Sequence, residues 1–202
     1  MGFGWLLVGY FFANIMDASS PFAFVKCIGY PMLIYGFYKL AHYHKGFKYC
    51  FYLSFLSLPF ALFFSWSAVA QLLRFVDFSF FFNNTIYLTI GWSYLFYSLF
   101  FHVLLLISIA CFSKELQFFP TQSGAWRNLV TVGLYYLTYL FVYIPASFTA
   151  SIRQYFMIPL MILRIIMVIL NAWLIFKCYQ NIAPEGEAQT LGLLPQEPKN
   201  KK

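Results

Sequence analysis

The sequence predicts an all-α, polytopic membrane bundle of six transmembrane helices, and three observations carry that reading. Hydrophobic residues make up 62% of the 202 and charged residues only 9%, a balance that a water-facing surface does not tolerate. Apolar runs of about 20 residues recur along the chain, each long enough to cross a bilayer. Aromatic residues reach 24%, which suits a protein bounded by lipid and its interfaces. With roughly six spans and short loops the length is used up, so residues 1–178 are expected to form a single transmembrane domain. Residues 179–202, rich in Pro, Gly, Glu and Lys, are expected to form a disordered cytoplasmic tail.

The first segment, Gly2 to Met16, is short and ends in the turn-forming run Asp17 to Pro21. It lacks the basic start and small-residue end of a secretory signal, so it is read as a span. Gly2, Gly9 and Ala13 share one of its faces, a stripe that lets another backbone approach closely. That stripe serves either internal packing or the docking of a partner protein.

The second span, Phe22 to Ala41, holds Pro31 in its middle, and a kink is expected there. Lys26 near its start is expected to snorkel to the surface or to pair with Asp17. The loop that follows carries Lys39, His42, His44, Lys45 and Lys48, and reads as a basic-aromatic anchor at the interface. The two histidines are two residues apart, which on a helix sends them to different faces, so no metal site is expected.

The third span, about Tyr49 to Phe75, contains Pro59 and a small, weakly polar face of Ser54, Ser57, Ala61, Ser65 and Ala68. Arg74 and Asp77 are placed to neutralise each other beyond it. Asn83-Asn84-Thr85 is formally a glycosylation sequon, but beside a span it reads as coincidence.

The fourth span, about Thr85 to Phe112, is longer than a bilayer needs and should tilt. Tyr87, Gly91, Tyr94, Ser98 and His102 recur along it at helical spacing. Ser113 to Asn128 reads as an interfacial loop. The fifth span, about Leu129 to Thr149, repeats the theme with Tyr135, Tyr139 and Tyr143 on one face.

The last span, Met157 to Cys178, carries Arg164 and Asn171 one heptad apart and therefore on one side. A guanidinium at that depth is costly in hydrocarbon, so phenols from the fourth and fifth spans are its expected partners. Arg164, Tyr94, Tyr139 and Tyr143 would line a ligand-binding site, closed at its inner end by Asn171 and His102. The alternative for Arg164 is snorkelling, or a bond to a free helix carbonyl.

Positive residues beside the span ends orient the chain. Lys39, Lys45, Lys48, Lys114, Arg127, Lys177 and the terminal lysines fall on one side, so both termini are expected in the cytoplasm. The net charge of +7 is scattered rather than striped, which argues against nucleic acid. Cys27, Cys50, Cys111 and Cys178 show no metal or redox spacing. No catalytic motif, nucleotide loop or cofactor signature is present, so a non-enzymatic role without a cofactor is expected.

Two functions remain open. One is a membrane-embedded binding or transport component for a small anionic or amphiphilic molecule or a lipid headgroup. The other is an accessory subunit that docks a membrane partner through Gly9 and Ala13. In size, span number and small-residue first helix the architecture resembles the substrate-binding components of energy-coupling vitamin transporters, a likeness that implies both a ligand and a docked partner.

Overall fold

A computed structural model of the chain describes residues 2–15, 22–73, 85–143 and 147–190, with the side chains of the last helix described from Tyr155 to Asn181. The regular elements among these residues are all helical: α1 (Gly2–Asn14), a 3-10 turn (Ala23–Val25), α2 (Lys26–Leu40), α3 (Lys45–Phe55), α4 (Ser57–Leu72), α5 (Thr85–Glu115), α6 (Phe119–Tyr143) and α7 (Ser147–Thr190). Counting α3 and α4 as one bent rod gives six helices. The Asp17 turn, Arg74, Asp77, the Asn83 sequon and the Arg153 side chain lie outside the described residues.

Three stretches are long and apolar enough to cross a membrane, namely Lys45–Leu72, Thr85–Glu115 and Tyr155–Asn181. The described parts of α1 and α2, with 13 and 15 residues, fall short of the ~20 that a full span takes. They form an antiparallel hairpin whose backbones nearly touch. A Cβ on Gly9 would lie 2.5 Å from the Leu33 amide nitrogen, and one on Gly29 only 2.4 Å from that of Ala13. Glycine is required at both positions for so close an approach.

Helices α1, α2 and α3 pack in succession, α3 packs on α5, α5 on α6 and α6 on α7, and α7 returns to α1, so these helices close into a ring, with α4 held against α2 and the 3-10 turn. The interior is filled across the ring by aromatic rings. Phe3 of α1 meets Phe47 of α3 edge-on at 5.8 Å and stacks on Phe112 of α5 at 6.3 Å, while Phe37 of α2 meets Phe101 of α5 at 5.9 Å. These contacts, with Gly2 against Leu40 and Gly4 facing Tyr179, gather the start of α1, the end of α2, the start of α3 and the end of α5 at one end of the bundle. It is called the near end below. The far end holds Asn14 and Lys26.

Several expectations change. The third span is broken at Leu56, because Pro59 in the first turn of α4 has no amide hydrogen for the carbonyl four residues back. The connection expected from Ser113 to Asn128 is mostly helix, and α6 starts at Phe119 with Pro120 in its first turn, where a missing donor does no harm. The α5–α6 turn is tight: Phe118 donates its amide to the Ser113 carbonyl and Gln117 to that of Lys114. This is a Schellman turn with Gln117 at a φ of 61°, a place usually held by glycine. Helix α7 runs on to Thr190, through Pro184 and Gly186, the two residue types least suited to a helix.

Candidate functional site

The polar side chains of the interior sit at two levels. At the mid level, four helices are joined by one chain of hydrogen bonds. His102 Nδ1 lies 2.7 Å from the Ser98 carbonyl oxygen, which only accepts, so Nδ1 carries the proton and Nε2 is free to accept. The Tyr10 hydroxyl, 3.0 Å from Nε2, donates to it. Tyr10 in turn accepts from Asn171 Nδ2 at 2.9 Å, and Asn171 Oδ1 accepts from Asn128 Nδ2 at 3.1 Å. Tyr136 donates to Ser98 Oγ at 2.6 Å and lies 3.3 Å from His102 Nδ1. Helices α1, α5, α6 and α7 are thereby locked in one register. Asn128 Oδ1 is left without a partner, although its amide nitrogen also donates to the Leu170 carbonyl at 2.8 Å.

Among the described residues the far level is cationic. The last carbonyls of α1 have no amide donors of their own, and they accept from two cations on other helices. Lys26 Nζ donates to the Ala13 carbonyl at 2.7 Å, and Arg164 Nη2 donates to that of Asn14 at 3.2 Å. Lys26 also donates to the Tyr94 hydroxyl at 3.3 Å, with its ammonium 5.5 Å from the Tyr94 ring centre. Tyr94 and Tyr30 share a hydrogen bond of 2.9 Å. Positive charge suits a helix carboxyl end, where the dipole leaves roughly half a negative charge.

Lys26 corrects one of the two readings its sequence position left open, snorkelling; the other, pairing with Asp17, falls outside the described residues. Its relative exposure is 0%, so it does not snorkel; it points inward because α1 ends beside it and supplies an acceptor. Of its three N–H bonds, two meet oxygens among the described residues, and both of those oxygens are neutral. Glu115, at the near end, is the sole acidic residue among those whose side chains are described. It lies 3.5 Å from His44 Nε2. His44 caps α3, accepting the Gly46 amide on Nδ1 at 3.0 Å, so the ring donates to Glu115 from the other nitrogen.

The residues singled out by sequence are therefore divided between the levels. Asn171 and His102 meet through Tyr10 at the mid level, and both are 1% exposed. Arg164 and Tyr94 belong to the far level. Tyr139 and Tyr143 stack on each other with ring centres 4.4 Å apart, and Tyr143 donates to Met157 Sδ at 3.4 Å. Gly9 and Ala13 face α2 inside the bundle, so the small-residue face of α1 is already covered.

Sequence reasoning missed Tyr10, Tyr30, Tyr136 and Asn128. A signal existed for three of them: Lys26, Gly29 and Tyr30 share one helical face, as do Asn128 and Tyr136. Among the described residues no His, Cys, Asp or Glu cluster could hold a metal. No family model, curated protein or solved structure matches the chain.

Proposed function

We propose that this protein is a non-enzymatic, membrane-embedded binding or transport component that recognises an anionic group at the far level of its bundle. All six helices would cross the membrane. Both termini would be cytoplasmic, with Lys39, Lys45, Lys48, Lys114 and Lys177 on that side.

The observation that carries the reading is the buried ammonium of Lys26 beside Arg164. A helix carboxyl end offers about half an elementary charge. Lys26 alone exceeds it. Ionisable groups held inside a membrane bundle mark binding sites and pathways more often than scaffolding, and an anion would complete this one. The mid level, whose polar groups bond chiefly to one another, serves as the rigid floor of the site rather than as its lining.

Docking of a partner protein through Gly9 and Ala13 gains no support, because α2 occupies that face. The test is native mass spectrometry of protein purified in a mild neutral detergent. The parent should carry an anionic small molecule or lipid, and Lys26→Met and Arg164→Gln should lose it while remaining inserted and helical. A parent free of bound anions, or variants that retain them, would overturn the proposal.

A further inference from the structure

We infer that the anion recognised at Lys26 is the head of a single-tailed, lipid-like molecule that enters sideways from the bilayer between the far halves of α4 and α5. The inference rests on the anion-binding reading above and adds the class of ligand and its route.

Between these two half-helices the packing is ring on ring. Phe60 meets Tyr94 with ring centres 5.5 Å apart, Phe64 meets Tyr94 at 5.0 Å, and Phe63 meets Tyr87 at 5.8 Å. Rings packed in this way can part by rotating about their side-chain bonds, with every helical hydrogen bond left intact. The buried trio Ala23, Phe64 and Ala68 forms a small core of its own, and Phe60 and Tyr94 border both it and the main interior cluster. A small satellite core opens at lower free energy than the body of a fold.

Tyr94 is where the satellite core and the cationic level meet. Its ring packs on Phe60 and Phe64, and its hydroxyl accepts from Lys26. One side-chain length therefore separates half-buried aromatic rings from a fully buried ammonium that uses two of its three N–H bonds among the described residues. A water-soluble anion would have to shed its hydration to pass an aromatic wall. An amphiphile keeps its tail among apolar groups throughout and presents only its head to Lys26. The head it fits is a carboxylate or a phosphate monoester, able to displace Tyr94 as acceptor or to add to it.

The experiment is thermal unfolding of the purified protein in a neutral maltoside detergent, titrated with dodecyl phosphate and separately with inorganic phosphate. Dodecyl phosphate should raise the unfolding temperature saturably, and inorganic phosphate should not. Lys26→Met should weaken the effect by roughly tenfold or more in concentration, whereas Lys26→Arg, which keeps the charge, should retain it. A dodecyl phosphate with a mid-chain diazirine should label residues between Phe60 and Phe64 and between Tyr87 and Tyr94.

Equal stabilisation by inorganic phosphate would sink the tailed ligand and leave the anion site standing. No response to either compound would remove both. Labelling confined to other helices would overturn the route, and an unchanged response in Lys26→Met would overturn the residue assignment.

Discussion

Asn171 Nδ2 donates to the hydroxyl of Tyr10 across 2.9 Å, a bond that ties the last helix to the first. Both residues are almost completely buried, and Tyr10 passes the connection on to His102. Substituting Tyr10 with Phe keeps the ring and removes the one atom that both neighbours use. His102 Nε2 and Asn171 Nδ2 then lose a partner in a place that water does not reach. The expected loss is about 1–3 kcal/mol, read as a lowered midpoint in denaturant or thermal unfolding in detergent. An unchanged midpoint would mean that the network does not hold the ring together.

The pairing of Asn128 with Asn171 joins α6 to α7 at 3.1 Å. A double-mutant cycle with Asn128→Ala and Asn171→Ala should give a coupling of about 0.6 kcal/mol, the average for hydrogen bonds between membrane helices, and no more than about 1.7 kcal/mol. Strict additivity would place the two amides out of contact.

Gly29 and Gly133 make a matched contrast. A methyl group at Gly29 would meet the backbone of Ala13, whereas around Gly133 nothing lies within 4 Å. Gly29→Ala should force α1 and α2 apart and destabilise the protein by about 1–3 kcal/mol. Gly133→Ala should be neutral or stabilise by up to about 1 kcal/mol through helix propensity. Equal effects, measured in the same unfolding assay, would contradict the hairpin's close crossing.

Gln117 adopts a left-handed conformation, with φ at 61°, to close the Schellman turn. Replacing it with Gly relieves the contact between its Cβ and the backbone, worth about 1 kcal/mol, so Gln117→Gly should raise the unfolding midpoint. A lowered midpoint would imply that the turn has another geometry.

The helical class and the inward turn of Arg164 and Asn171 were legible because both follow from one-dimensional patterns, apolar run length and heptad spacing. Lys26 was not. Snorkelling is the cheaper course for a lysine near a span end when nothing inside accepts its protons, and the acceptor here is the carbonyl of Ala13, 13 residues away in sequence on another helix. No side-chain pattern announces a backbone atom. The α5–α6 turn escaped for a related reason: the residue that closes it is Gln117, where glycine would have marked the boundary. The face of Gly9 and Ala13 was visible as a close-packing surface, but spacing alone does not tell a neighbouring helix from another protein.

The bond between Tyr10 and Asn171 also bears on biogenesis. A chain delivered to a membrane from its amino end would present Tyr10 well before Asn171 has been synthesised, and Asn14 would wait for Arg164 in the same way. Until the seventh helix arrives, the nascent bundle carries polar atoms whose final partners do not yet exist. Surveillance proteases that recognise unsatisfied polarity within the bilayer would therefore see an unfinished chain and a finished one as different substrates, and the last helix to be inserted is the one that ends that exposure.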